Sequence, residues 1–167
     1  TMLYSAKTYE NALLGDKYGV FVDNVRFDYG KVVARKNKVV RKLVAGIKSK
    51  MKSNNVEVIT GEANILSRNS EGIKVACNGE EYIAKNLLIS TGSEAFVPPI
   101  PGLAESGDII VTNREILEMK EQPKSLVVIG GGYIGTELGS AYANFGTKVT
   151  IIEGEKEILA TFEKQMS

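Results

Sequence analysis

Residues 125–153 read SLVVIGGGYIGTELGSAYANFGTKVTIIE, and the order of residue types in that stretch decides the fold. The apolar run 126–129 has the length and composition of a buried strand. It enters the turn Gly130-x-Gly132-x-x-Gly135, and a helical pattern starts near Tyr133. A second strand follows at 148–152, ending on the carboxylate of Glu153. A lone Gly-x-Gly-x-x-Gly is weak, but here the strand, the helix and an acidic residue about 20 positions on all fall in place.

That combination reads as the nucleotide-binding half of a Rossmann fold. Gly130 allows the sharp exit from the strand, Gly132 lets a pyrophosphate approach bare backbone, and Gly135 lets the helix pack closely on the sheet. The helix start offers free N–H groups and the positive dipole end, about 0.3–1 kcal/mol per nearby anionic charge. The turn therefore supplies position more than affinity. Glu153 can accept hydrogen bonds from both ribose hydroxyls of an adenosine and would repel a 2′-phosphate. No arginine follows it and only Lys156 is close, which favours NAD over NADP. The turn by itself does not separate NAD from FAD, because both dinucleotides use it.

Composition narrows the chemistry. With 167 residues, 43% of them hydrophobic, the chain can form one domain or two small ones. A net charge of +1 gives no general attraction to nucleic acid or to an anionic membrane. No stretch reaches the roughly 18–20 apolar residues of a membrane span. The single Cys77 cannot form an internal disulfide, which fits a reducing cytoplasm, and its alternating surroundings read as a small buried residue. There is no histidine, which removes a histidine base and, with one cysteine, argues against a metal site.

Along the chain, residues 1–14 carry Tyr4, Tyr9 and Leu13 at helical spacing, with Gly15 as a stop, and 18–27 reads as loop. Residues 31–52 form a long amphipathic helix with Val33, Val40, Val44, Ile47 and Met51 on one face. It holds nine basic residues and no acid, read as a solvated face because no nucleic-acid motif accompanies the charge. Residues 56–66, 72–77 and 80–84 read as a small antiparallel meander, and 86–90 as a buried strand running into Thr91-Gly92-Ser93. The Pro98-Pro99-Ile100-Pro101-Gly102 linker marks a domain boundary, giving domains 1–102 and 103–167. A short strand is expected at 108–111, and Thr112 with Glu115 as a capping box for a helix 113–119. Residues 155–167 read as a helix start or tail. A full dinucleotide site needs more strands than the two after the linker, so the chain is expected to be a fragment. Its open sheet edge favours self-association.

Across its whole length the chain resembles the dihydrolipoyl dehydrogenases, a branch of the flavin-dependent pyridine nucleotide–disulfide oxidoreductases. GGGYIGTELGSAYANFGTKVTIIEGEKEIL resembles that family's NAD-binding motif, while Gly61-Glu62-Ala63, Leu88-Ile89-Ser90-Thr91-Gly92-Ser93 and the proline-rich linker resemble its FAD-domain landmarks, in the family's order. Residues 4–11 resemble the stretch shortly after its redox cysteine pair. The resemblance implies an α/β architecture: an incomplete Rossmann-like FAD/NAD-binding fold with a small antiparallel β-meander, residues 1–102 being part of the FAD-binding domain and 103–167 the first half of the NAD-binding domain. It implies that Gly130, Gly131, Gly132, Tyr133, Ile134, Gly135, Thr136, Glu137 and Glu153 contact NAD, with Tyr133 and Glu137 near the nicotinamide–flavin junction. Gly61, Ala63, Thr91, Gly92 and Ser93 would contact FAD, mostly through backbone. The parent enzyme would be a homodimer serving a 2-oxo acid dehydrogenase complex and oxidising dihydrolipoamide with NAD through a disulfide and FAD. The family's first glycine motif, its cysteine pair and its catalytic histidine–glutamate pair are absent from these 167 residues, so no catalytic residue is assigned and the chain alone is expected to be inactive and flavin-free. The competing readings are an NAD-sensing module without redox chemistry and an interaction module using the basic helix.

Overall fold

The computed structural model describes residues 1–160. Contacts divide it into two units: residues 1–42 with the chain from 95 onward, and residues 43–94.

In the first unit, strand β4 (Ser125–Ile129) passes through the glycine turn into helix α4 (Tyr133–Asn144), which returns the chain to strand β5 (Lys148–Ile152). β4 and β5 pair in parallel, from Ser125 opposite Lys148 to Ile129 opposite Ile152. This is the β-α-β unit expected from sequence. α4 ends in a Schellman motif: Gly146 has φ +91°, its N–H donates to the Ala143 carbonyl at 2.8 Å, and the Thr147 N–H donates to the Tyr142 carbonyl at 3.0 Å. Thr147 is buried, donates to the Pro123 carbonyl at 2.8 Å and accepts from Gln122 at 3.0 Å, which pins the starts of the two strands together.

The core of this unit lies beneath α4. Met2 and Ala6 of helix α1 (Met2–Leu13), Tyr29 at the start of helix α2 (Tyr29–Ser53), Ile116 of the one-turn helix α3 (Glu115–Glu118), Tyr142 and Phe145 form it. Tyr9, Phe27, Phe145 and Tyr29 continue as tilted and edge-on ring pairs 4.7–6.3 Å apart. The Tyr142 hydroxyl donates to the Ile116 carbonyl at 2.7 Å and lies 2.8 Å from the Tyr29 hydroxyl. A hydroxyl carries one proton, so Tyr29 is the donor of that pair. Burial and the Tyr29 hydrogen bond push the Tyr142 pKa upward.

Three local expectations change. The run 126–129 is buried on one face only: α4 covers Leu126 and Val128, while Val127 and Ile129 are exposed, because the two-stranded sheet has no layer on its other side among the described residues. Residues 108–111 form no strand; a 3₁₀ helix occupies Ala104–Ile109. The capping box does form, with the Thr112 N–H donating to Glu115 at 2.7 Å and the Arg114 N–H to the Thr112 hydroxyl at 3.3 Å, but it starts a helix of one turn. The Thr112 hydroxyl, which also donates to Glu115, and the Thr112 N–H hold the Glu115 carboxyl below its usual range.

α2 contains the whole stretch 31–52 expected to be helical and extends it at both ends, yet its apolar stripe is covered only at the start. Val33 packs on the core, whereas Val40, Val44, Ile47 and Met51 are exposed. Among the described residues the buried cation is Lys36, 7% exposed, whose ammonium lies 2.5 Å from Glu118.

In the second unit, strands β1 (Ala63–Asn69), β2 (Gly72–Cys77) and β3 (Glu80–Ala84) form an antiparallel sheet in that order. Asn78-Gly79 joins β2 to β3 with φ +53° and +82°, a two-residue turn that suits the twist of the strands. β1 starts at Ala63, later than read from sequence, and a register shift lies between Ile65 and Ser67. Residues 86–90 form no strand and Leu88 is 86% exposed. An apolar run becomes a strand by pairing, and no strand among the described residues pairs with it. Cys77 is buried, as expected. Of the stretch read as a helix start or tail, 155–160 is bends and a turn with no helix, and residues 161–167 lie outside the described residues.

Candidate functional site

The glycine turn has the geometry that its spacing predicts. Gly130 sits at φ +105°, reachable without strain only by glycine, and its N–H donates to the Ile152 carbonyl at 2.8 Å. Gly132 caps α4 in extended conformation (φ −71°, ψ 178°), and no side chain caps the helix. The Thr136 N–H makes the bond back to the Gly132 carbonyl at 3.0 Å that opens the helix. The earlier first-turn N–H groups are those that no i−4 carbonyl reaches. No atom lies within 4 Å of where a Cβ would stand on Gly132, so a ligand phosphate can come against bare backbone. At Gly135 a Cβ would overlap the Gly130 carbonyl oxygen and stand 2.9 Å from Val128 Cγ1. The third glycine therefore does what it was assigned: it lets α4 lie close on the sheet.

Glu153 lies beside this turn. Its Oε2 accepts the Gly131 N–H at 2.6 Å, and its Oε1 accepts the Gly154 and Glu155 N–H groups at 2.6 and 3.0 Å. The N–H groups of Glu155, Gly131 and Gly154 hold its carboxyl below the usual carboxylate range, so it is ionised at neutral pH. A carboxylate has about four acceptor positions and three are used, leaving one for a ribose hydroxyl rather than the two expected from sequence. The residues present thus fit a dinucleotide: open glycine backbone for the phosphates and a fixed anion for the sugar.

The remaining site residues fall in different places. Tyr133 is exposed beside the turn. The Thr136 hydroxyl turns back to the Gly132 and Tyr133 carbonyls, so only its backbone is part of the turn. Ile134 and Glu137 line a cavity of about 360 Å³ shared with Met2, Lys36 and Leu117. In the other unit, a Cβ on Gly61 would overlap Asn78 Oδ1 and stand 2.7 Å from Cys77 Sγ, so the chain's own side chains fill that space. Ala63 pairs with Cys77 across β1 and β2. Thr91, Gly92 and Ser93 are exposed, Gly92 at φ +83° with nothing within 4 Å of its Cβ position. For FAD the fit is incomplete: Gly92 is open and Gly61 is not.

Sequence reasoning missed Ile158, Leu159 and the role of Gly131. Ile158 Cγ2 lies 2.7 Å from where a Cβ would stand on Gly131, and the Leu159 N–H donates to the Gly131 carbonyl at 2.9 Å. The third consecutive glycine at 130–132 was the available signal, since the fingerprint does not require it.

A parallel β-α-β unit with a bare glycine turn and a strand-end carboxylate defines a Rossmann-type, dinucleotide-binding class of fold. The family model for pyridine nucleotide-disulphide oxidoreductases matches residues 1–167, and the chain belongs to that family. It is 43% identical over 166 residues to the dihydrolipoyl dehydrogenase of Geobacillus stearothermophilus and 44% to one from Bacillus subtilis, covering 99% of this chain and 35% of each relative. The dihydrolipoyl dehydrogenase of Acholeplasma laidlawii is 43% identical, with 48% of its length covered. Among solved structures, the HOCl-induced flavoprotein disulfide reductase RclA from Escherichia coli aligns at TM-score 0.72 and 29% identity, covering 99% of this chain and 33% of that one. LpdA from Mycobacterium tuberculosis shares the fold at TM-score 0.75 and 18% identity, covering 94% and 34%. The chain thus spans about a third of the length of most of these relatives. The family is one of flavoprotein oxidoreductases that use a pyridine nucleotide. Among the described residues no helix is long and apolar enough to cross a membrane.

Proposed function

We propose that this chain is an internal portion of a dihydrolipoyl dehydrogenase, with residues 103–167 forming the first half of an NAD site and 1–102 part of an FAD-binding domain. The observation that carries the reading is the pairing of the open Gly132 backbone with Glu153 fixed at the adjoining strand end. Bound there, NAD would supply an acceptor for the electron pair taken from dihydrolipoamide. The chain's residues bind and orient it. Gly130 and Gly132 bring main chain against the pyrophosphate, the start of α4 adds about 0.3–1 kcal/mol per nearby anionic charge, and Glu153 accepts from the ribose. Tyr133, Ile134, Gly135, Thr136 and Glu137 continue the site along α4, while Gly61, Ala63, Thr91, Gly92 and Ser93 belong to the flavin side.

The 167 residues contain one cysteine, so the disulfide that the reaction needs is not among them. The parent enzyme acts as a homodimer in the cytoplasm, within a 2-oxo acid dehydrogenase complex, and this polypeptide alone neither reduces NAD with dihydrolipoamide nor retains FAD. The test of the NAD assignment is fluorescence titration with NADH and NADPH. NADH binds more tightly to the wild type, and Glu153→Arg reduces or reverses that preference. Equal affinities in the wild type would refute the role of Glu153. A yellow flavin spectrum after purification of the 167-residue chain would refute its incompleteness.

A further inference from the structure

After β5 the chain doubles back over the glycine turn. The middle glycine is held there at three points. Its N–H is bound by Glu153 Oε2 at 2.6 Å, its carbonyl by the Leu159 N–H at 2.9 Å, and its α-carbon is covered by Ile158. Leu159 makes its bond from the left-handed region, φ +56°, which a leucine rarely adopts. The other carboxylate oxygen is bound by the Gly154 and Glu155 N–H groups, so both ends of the Glu153 side chain are tied to main chain. A glutamate on a free side chain could rotate away from an approaching anion into water, where its repulsion is screened. This one is anchored through Gly131, and Gly131 is anchored by the segment that carries Ile158.

We propose that residues 154–159 act as a clasp in which Ile158 is a positioning residue for nucleotide selection, pressing Gly131 onto Glu153 so that the carboxylate cannot swing aside for a 2′-phosphate. The inference rests on the reading that this site takes NAD. It makes the NADH/NADPH ratio, rather than overall stability, the property that Ile158 controls. Cγ2 is the nearest atom, with Cβ at 3.1 Å behind it, so valine keeps the closest contact and alanine loses it.

The experiment uses the polypeptide as its gene encodes it. Wild type, Ile158→Ala, Ile158→Val and Gly131→Ala are titrated with NADH and with NADPH, and each variant's fold is checked by circular dichroism. The expected result is a preference for NADH in the wild type, kept in Ile158→Val and narrowed about fivefold or more in Ile158→Ala. Gly131→Ala, whose methyl group meets Ile158 and Glu153, narrows it as well and serves where the alanine at 158 fails to fold. A wild type that prefers NADH together with folded variants that keep its ratio would overturn the clasp while leaving the NAD reading intact. A wild type that binds both equally, or neither, overturns the NAD reading and the clasp's role in selection with it.

Discussion

Gly135 and Gly139 lie four residues apart on the sheet-facing side of α4, and their replacement by alanine should have opposite outcomes. At Gly139 a Cβ would stand 3.4 Å from Val149 Cγ1, 3.7 Å from Ile151 Cδ1 and 3.9 Å from Val128 Cγ2. Those are ordinary contacts, so a methyl group fills space already shaped for it. Alanine in a helix interior is about 0.8–1 kcal/mol more favourable than glycine. Gly139→Ala should therefore stabilise the chain by up to about 1 kcal/mol, a rise in Tm of about 2–4 °C for a chain of this length. At Gly135 the same methyl group would overlap the Gly130 carbonyl oxygen and press on Val128 Cγ1 at 2.9 Å. The first obstacle is backbone and cannot rotate away. Overpacking of this kind costs about 1–3 kcal/mol, against a propensity gain that is smaller in the first helical turn. The net is a loss of about 1–2 kcal/mol with displacement of the Gly130 carbonyl, and with it of the phosphate turn. Thermal and urea denaturation of the two variants beside wild type measure the difference, and NADH titration reads the turn. If Gly135→Ala melts at or above the temperature of wild type and binds nucleotide equally well, the close approach of α4 to the turn is wrong.

Three further outcomes follow from the core and the site. Tyr142→Phe strands the Ile116 carbonyl and takes away the acceptor of Tyr29, so it should cost about 1–3 kcal/mol in urea denaturation, whereas Tyr29→Phe, which leaves the Tyr142–Ile116 bond intact, should cost less. Glu118→Ala leaves the nearly buried Lys36 ammonium without its carboxylate and should destabilise by about 1–3 kcal/mol, at the low end because Glu118 is mostly exposed, while Lys36→Met stays within about 1 kcal/mol of wild type by the same measurement. The Glu153 carboxyl has a folded pKa held below its ordinary 4.5, so its hold on the turn is fully present above that value and is lost as pH falls through the lower folded value. Exchange protection of the Gly131 amide, corrected for the intrinsic rate, should fall on acidification below about pH 4.5 in wild type and show no such step in Glu153→Gln.

Local chemistry accounts for what was legible. The β4–α4–β5 unit, the positive φ at Gly130, the close packing at Gly135 and the meander at 63–84 follow from residue types at short spacing, where a turn requires glycine and alternation requires a strand. The Thr112–Glu115 capping box was equally visible, because both partners lie within one turn of chain. Residues 86–90 and the exposed face of β4 were misread for the opposite reason. Leu88 and Val127 have strand-core chemistry, but burial is a relation to a second surface, which three or four apolar residues in a row do not specify. Long-range partnerships were likewise out of reach: Lys36 finds Glu118 and Tyr29 finds Tyr142 across 82 and 113 residues of chain.

By itself the sequence determined the strand, the open three-glycine turn and the helix, because these are local and their backbone geometry follows from which residues lack a Cβ. Only the tertiary structure decided how the Glu153 carboxylate is held. Glu153, Gly131, Ile158 and Leu159 lie within a stretch of 29 residues and meet only after β5 has paired with β4 and the chain has folded back over the turn. Which backbone N–H a carboxylate finds, and which side chain then closes over that N–H, depends on where two strands and a turn place them in space, and spacing along the chain carries no such information.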